Sequence, residues 1–307
     1  MRKFDMRITQ KKPKILVIVG PTASGKSALA VEIARKFNCE IVSADSRQVY
    51  KGLDLGTGKI TKREMKNVRH YLLDVSPPKR IFTAHDFLEH ARHALAQISS
   101  RGNLPIIAGG TGFYIDALVG RISLPNVPEN PKLREQLEKK TAPELFSMLK
   151  KRDPARAETI DRHNKRRLVR ALEIVSALGQ VPQNNDLRSR YDVLWVGISR
   201  TTKELGHLIR ARLRARMRHG MLNEAKNLHK KGLSYKRMES FGLDYKCLAL
   251  LLQKKISREK FDDMLVRESI KYAKRQITYW NRNREIKWFN RGEMRKISGP
   301  VANWLQK

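Results

Sequence analysis

An unbroken apolar, largely β-branched run, Ile15-Leu16-Val17-Ile18-Val19, leads directly into Gly20-Pro21-Thr22-Ala23-Ser24-Gly25-Lys26-Ser27. That junction restricts the possible folds more than any other stretch of the chain. A continuous run of this kind marks a strand covered on both faces, as in a parallel sheet flanked by helices. The segment from Gly20 to Ser27 matches G-x-x-x-x-G-K-[ST], a loop whose glycines let backbone N–H groups turn inward around phosphate oxygens. The helix-like stretch from Ser27 to Lys36 places its positive end at the same point. Residues Gly20, Pro21, Thr22, Ala23, Ser24, Gly25, Lys26 and Ser27 are therefore read as a phosphate site. Lys26 is placed to bridge two phosphates and the Ser27 hydroxyl to ligate Mg²⁺. The loop recognises phosphate and leaves the reaction open, because kinases, GTPases, helicases and some transferases all carry it.

Further along, Glu40-Ile41-Val42-Ser43 reads as a second strand, Tyr71-Leu72-Leu73-Asp74-Val75 as a third, and Leu104-Pro105-Ile106-Ile107-Ala108 as a fourth. A helix from about Ala84 to Ser99 separates the last two. Strands alternating with helices predict a P-loop NTPase-like α/β fold with a doubly wound parallel sheet. The pattern breaks at Pro125, Pro128 and Pro131, after which amphipathic helices run to Leu178-Gly179. Val193–Ile198 then reads as a strand rejoining the first sheet, and Lys287-Trp288-Phe289 as a final one. The expected organisation is a core from 13 to 124, a helical insertion over 125–189, and a return to the core with a helical C-terminal region over 190–307.

Of the 307 residues, 64 are Lys or Arg and 30 are Asp or Glu, a formal charge of +34. Most of the excess falls after residue 120. So large a surplus calls for a polyanionic partner, since each neutralised phosphate releases condensed counterions. Two clusters are densest: Lys165-Arg166-Arg167 with Arg170, and Arg210, Arg212, Arg214, Arg216 and Arg218. The second alternates along a helix, so its side chains point around the axis and do not all serve one surface. No apolar run approaches the roughly 20 residues of a membrane span. The basic start, Met1 to Lys14, lacks the apolar stretch of a secretion signal. Two cysteines, Cys39 and Cys247, make neither a disulfide framework nor a zinc site. A reducing cytoplasm is the expected setting.

The second strand ends in Ser43-Ala44-Asp45-Ser46-Arg47-Gln48. Residues just past a strand's C-terminal end face the ligand crevice of a doubly wound sheet. Asp45 is thus placed to bind Mg²⁺, to orient a nucleophile or to accept its proton; the alternative is a turn or N-cap aspartate. Ala108-Gly109-Gly110-Thr111 ends the fourth strand at the same edge, where paired glycines either admit a ligand near the Thr111 hydroxyl or make a tight turn. His70 is read as structural, and Asp74 as the only candidate for a Walker B acid.

Taken together, Gly20–Ser27, Asp45-Ser46-x-Gln48-Val49-Tyr50-x-Gly52-x-Asp54-x-Gly56-Thr57, His70-x-Leu72-Leu73-Asp74 and Gly109-Gly110-Thr111-x-x-Tyr114 form an ordered set. Arg167-Leu168-x-Arg170-Ala171-Leu172-Glu173, the Arg212 to Gly220 helix and Tyr272-Ala273-Lys274-Arg275-Gln276 continue it. In this the chain resembles the bacterial tRNA isopentenyltransferase (dimethylallyltransferase) family over nearly its whole length. It departs from the family at Gly242-Leu243-Asp244-Tyr245, where many members read Gly-Tyr-Lys/Arg-Glu, and it lacks the zinc finger of eukaryotic members.

The resemblance implies transfer of a dimethylallyl group from dimethylallyl diphosphate to N6 of the adenosine 3′ to the anticodon, with release of pyrophosphate. It implies Asp45 as general base, Thr111 and Arg212 on the leaving group, and Mg²⁺ at Ser27. Contacts to the tRNA anticodon stem-loop are implied for Asp45, Ser46, Arg47, Gln48, Thr111, Arg134, Arg166, Arg167 and Arg170, with Val169 packing inward. The enzyme is expected to be a monomer without membrane contact. A nucleoside or metabolite kinase would share the loop and Asp45 but leaves the charge and the later motifs without purpose. A nucleic-acid-stimulated NTPase needs a clear Walker B acid, and a relative that prenylates free AMP has no need of so basic a second half.

Overall fold

In the computed structural model, which describes residues 12–182 and 189–307, the first apolar run is β1 (Lys14–Val19), followed by α1 (Lys26–Phe37) and β2 (Cys39–Ala44). The basic N-terminal stretch before Lys12, and the end of the segment read as an insertion, lie outside the described residues. The chain continues through α2 (Lys62–Met65), β3 (His70–Tyr71), α3 (Ala84–Ser100), β4 (Leu104–Gly109) and α4 (Gly112–Leu118). Then come α5 (Pro131–Glu138), α6 (Ala142–Arg152), α7 (Pro154–Thr159) and α8 (Lys165–Leu178). β5 (Asp192–Ile198) precedes α9 (Thr202–Arg218), α10 (Met221–Lys230), α11 (Tyr235–Ser240), α12 (Leu243–Leu252) and α13 (Arg258–Trp280). β6 (Lys287–Phe289), a 3₁₀ turn (Arg291–Ile297) and α14 (Ser298–Gln306) complete it.

The strands form one sheet in the order β3-β2-β4-β1-β5-β6. Every neighbouring pair is parallel, with Leu16 opposite Ile106 on one side of β1 and Leu194 on the other. β1 from Ile15 onward and the whole of β2 are buried, as continuous apolar strands in a two-sided sheet must be. Leu29, Ile33 and Ala34 of α1 pack on Ile18, Ile41, Ile106 and Val196. Trp195 of β5 and Trp280 at the end of α13 are both buried, with ring centroids 6.0 Å apart. β5 and β6 rejoin the first sheet as the sequence predicts.

The third strand is shorter than expected. Extended structure ends at Tyr71, because Leu72 and Asp74 adopt left-handed φ values of 61° and 56°. The Asp74 amide donates to the Gln48 carbonyl, and its carboxylate is bound by Lys59 at 2.5 Å. A local turn with its own partners thus overrides an apolar pattern that reads as strand.

Two compact units result. One holds the described residues up to Val119 and from Ser189 onward; the other begins at Gly120 and carries α5 to α8. The second unit has its own apolar centre in Leu137, Leu145, Leu149, Leu168 and Leu172. Within it, Glu173 is almost wholly buried and accepts from Arg134 at 2.7 Å and from the Asn130 amide at 3.1 Å.

Candidate active site

The C-terminal ends of β2, β4 and β1 lie side by side, since β4 runs between the other two. Neighbouring strands are about 4.8 Å apart, so the loops after them share one edge. Asp45, Thr111 and the Gly20–Ser27 loop meet there. Gly25 turns the loop into α1 with φ of 98°, a conformation that side chains resist. Ser24 is buried and its hydroxyl has no partner, a polar group facing inward within the loop.

Lys26 is the loop's cation. Desolvation by the surrounding protein lowers its pKa to about 8; the Asp45 carboxylate opposes that shift and Arg212 adds to it. The ammonium donates to the Pro21 carbonyl at 3.3 Å. Arg212 is likewise pushed down, by desolvation first and then by Arg216 beside it. Three cations or potential cations therefore crowd one place, which favours an anion arriving among them.

Two cavities open on this edge. The smaller, of about 70 Å³, is lined by Lys26, Ser27, Asp45, Gln48, Gly58 and Arg212 among others. The larger, of about 670 Å³, is within the size range of small-molecule sites. It shares Thr22, Asp45, Thr57 and Arg212 with the smaller one and adds Phe241, Leu243, Met264, Tyr272 and Arg275. The loop lysine and Arg212 thus stand beside a roomier space with apolar and aromatic walls.

Asp45 caps a turn, the alternative weighed from sequence, and also stands at the cavity edge. Its Oδ1 accepts from the Arg47 amide at 2.8 Å and the Gln48 amide at 3.3 Å, which makes it the cap of the following turn. Its carboxylate also borders both cavities. Thr111 lies behind it: Oγ1 accepts from the Ser46 amide at 3.1 Å, and Thr111 is outside the residues lining either cavity. Ser46 and Arg47 line the larger space and Gln48 the smaller. The paired glycines serve close packing. A Cβ on Gly109 would stand 2.2 Å from the Ala44 carbonyl oxygen, and one on Gly110 2.1 Å from Gln276 Nε2.

The remaining sequence candidates belong to the second unit. Arg166 and Arg167 are exposed at the start of α8. Arg134 and Arg170 are engaged inside the unit, Arg134 with Glu173 and Glu129 at 2.7 Å each, Arg170 with the Val127 carbonyl at 2.8 Å. Val169 is buried, in keeping with packing. His70, in the first unit, donates from Nδ1 to the Val68 carbonyl at 2.8 Å and borders the smaller cavity.

Spacing alone gives no hint of several residues that shape the site. Gln276, buried on α13, accepts from the Thr22 amide at 2.7 Å and donates to the Gly110 carbonyl at 3.0 Å, tying the phosphate loop to the β4 loop. Glu224 on α10 accepts three successive amides, Asp54 at 3.0 Å, Leu55 at 2.7 Å and Gly56 at 2.8 Å. The Tyr245 hydroxyl donates to the same carboxylate at 2.6 Å, and its pKa is raised by burial and by that negative neighbour. Arg216 adds bonds to the Leu55 and Gly56 carbonyls and a 3.0 Å ion pair with Asp244. Burial nonetheless holds the Asp244 carboxyl above the ordinary carboxylate range. Asp244 lies in the stretch that departs from the family pattern. These partners are remote in sequence, so nothing local in the chain announces them.

Among the described residues no three His, Cys, Asp or Glu side chains gather as a metal cage. Ser27 and Asp45 nevertheless offer hard oxygen donors on the smaller cavity, the kind of set Mg²⁺ accepts when substrate phosphates complete its shell. The residues present fit that ion.

An all-parallel α/β sheet with a phosphate loop, a strand-end carboxylate and converging cations defines a phosphate-handling enzyme of the P-loop type. The family model described as IPP transferase matches residues 48–284. The tRNA dimethylallyltransferase 2 of Treponema denticola is 40% identical over 309 residues, covering 99% of each chain. The tRNA dimethylallyltransferase of Pediococcus pentosaceus is 36% identical, covering 95% of this chain and 97% of its own. The crystal structure of the Bacillus halodurans tRNA isopentenylpyrophosphate transferase superposes with a TM-score of 0.74 at 33% identity, covering 96% of this chain and 97% of that one. A eukaryotic dimethylallyltransferase acting on tRNA shares the fold, with a TM-score of 0.78 at 23% identity over 91% of this chain and 74% of its own. The chain belongs to the IPP transferase family, the tRNA dimethylallyltransferases.

Proposed function

We propose that this enzyme transfers the dimethylallyl group of dimethylallyl diphosphate to N6 of the adenosine 3′ to the anticodon in tRNA. The observation that carries the reading is the convergence of Lys26, Asp45 and Arg212 on a small cavity that adjoins a larger one with apolar and aromatic walls. The C1–O bond of the allylic diphosphate breaks, the N6–C1 bond forms, pyrophosphate leaves and the N6 proton goes to a base. Loop amides, Lys26 and Arg212 stabilise the charge that builds on the departing pyrophosphate. Thr111 supports this from behind Asp45. The Asp45 carboxylate orients the exocyclic amine and takes its proton; because that amine is a weak nucleophile, orientation contributes heavily.

Ser27 would hold Mg²⁺, which supplies further neutralisation of the diphosphate when bound. Phe241, Leu243 and Met264 offer the apolar wall an isoprenoid chain needs. The adenine has to leave the stacked anticodon loop to enter, as bases do wherever an enzyme acts on their edge. Asp45, Ser46, Arg47, Gln48, Thr111, Arg134, Arg166, Arg167 and Arg170 are the proposed tRNA contacts. Arg166 and Arg167 are exposed, whereas Arg134 and Arg170 are engaged inside the unit. The proposed assembly is a monomer. Cys39 and Cys247 are both free and buried, in keeping with the proposed reducing cytoplasm. Among the described residues no helix is long and apolar enough to cross a membrane.

The test is incubation with dimethylallyl diphosphate, Mg²⁺ and bulk unmodified tRNA, followed by mass spectrometry of the nucleosides. N6-dimethylallyladenosine is the expected product. Its absence, with phosphate transfer from ATP to a small acceptor instead, would favour the kinase reading.

A further inference from the structure

The alternating arginines of α9 separate into two faces. Arg212 and Arg216, one helical turn apart, border the large cavity of the site. Arg210, Arg214 and Arg218, also spaced by four, are exposed on another face. Among the described residues these three have no hydrogen-bond or ion-pair partner. With Arg258 of α13 they line a cleft of about 440 Å³ whose floor includes Leu213 and Val266. Its one acid, Asp262, is paired with Arg258 at 3.4 Å.

Like charges four residues apart weaken a helix, so the row is poorly explained by stability. Only Arg218, in the last turn, gains from the helix dipole. Four helical residues rise about 6 Å, close to the distance between successive phosphates along one RNA strand. Three guanidiniums at that repeat suit three consecutive phosphates, with an apolar floor for the intervening riboses. A free phosphate would use one position of the row and leave the others repelling.

We infer that the outer face of α9, with Arg258, is a docking surface for consecutive backbone phosphates of the tRNA substrate, separate from the pocket that receives the base. The inference rests on the proposed RNA substrate. It divides the helix by task, with Arg212 and Arg216 turned to the chemistry and Arg210, Arg214 and Arg218 to the nucleic acid chain.

The test compares Arg210→Gln/Arg214→Gln/Arg218→Gln with an equal charge removal elsewhere, Arg35→Gln/Lys36→Gln/Arg92→Gln, at exposed positions of α1 and α3. Binding of bulk unmodified tRNA is measured from low to moderate salt. In the α9 variant, affinity at low salt is expected to fall at least about tenfold, and the log–log salt slope to shrink by about 2, at roughly 0.7 per lost single-strand contact. Inorganic pyrophosphate affinity and single-turnover transfer at saturating tRNA should stay as in the wild type. Unchanged tRNA binding would overturn the inference. So would an equal loss in the control variant, which would reduce the effect to net charge, or a fall in pyrophosphate affinity, which would signal general damage. Lost binding to vesicles containing phosphatidylserine, with tRNA binding intact, would overturn it in favour of a lipid surface. If the wild type makes no dimethylallyladenosine while the α9 variant still loses RNA affinity, the proposed reaction fails and the docking surface stands.

Discussion

One carboxylate oxygen of Asp45 is held by the amides of Arg47 and Gln48, an arrangement that asparagine reproduces. Asp45→Asn should therefore keep the turn and both substrates while removing the proton acceptor and the charge. Single-turnover transfer is expected to slow by roughly 10²–10⁴-fold. A near-wild-type rate, or full recovery as Mg²⁺ is raised, would leave Asp45 as a cap or a metal ligand only. Lys26 yields a second expectation. Its pKa of about 8 before substrate arrives lies below the ordinary lysine value, and only the protonated form attracts a diphosphate. Affinity for inorganic pyrophosphate should be greatest below pH 8 and decline as pH rises through that value. Pyrophosphate itself gains charge over the same range, so titration calorimetry of wild type and Lys26→Ala side by side isolates the lysine. Lys26→Ala should bind weakly at every pH and abolish transfer, yet keep its tRNA affinity. Parallel pH curves for the two proteins would remove the lysine from the site.

Loop 53–59 shows how an element is held by parts the eye does not join in the sequence. Glu224 of α10 receives three consecutive amides and a phenol, the geometry of an anion in a backbone nest, with a protein carboxylate as the anion. Glu224→Gln turns one acceptor into a donor that faces other donors. The expected cost is about 1–3 kcal/mol of stability, seen as a lowered Tm and faster amide exchange confined to the loop and α10. Tyr245→Phe removes a single bond and should cost less, about 0.5–1.5 kcal/mol. Equal effects from the two would mean that the nest is incidental. Element by element, the chain was legible where its signal was local: β1, the phosphate loop, α3 and the return strand at β5 all lie where the residue pattern put them. It failed at Leu72–Asp74, because an apolar run does not reveal left-handed residues. Of the candidate site, the meeting of Lys26 and Asp45 at one sheet edge was legible, because both belong to motifs. Glu224 and Tyr245 act through bonds to segments far along the chain, and no periodicity records that; Gln276 belongs to a motif that assigns it no task.

For the molecule as a whole, a formal charge of +34 makes its dealings with RNA a matter of ionic strength. Affinity for tRNA should fall steeply between low and moderate salt, with a log–log slope of about −0.7 to −0.9 for each phosphate neutralised. Binding of dimethylallyl diphosphate, made inside a partly enclosed cavity, should change far less. A flat tRNA response in filter binding would mean that the surplus is surface decoration. Gln276 carries a different kind of consequence. Its bond to Thr22 spans 254 positions, and its bond to Gly110 spans 166. A ribosome delivers the phosphate loop well before α13, and contacts so distant in sequence form slowly. The phosphate loop is thus translated long before the bond that completes its setting can form, and a nascent chain halted before α13 would carry the motif without that setting.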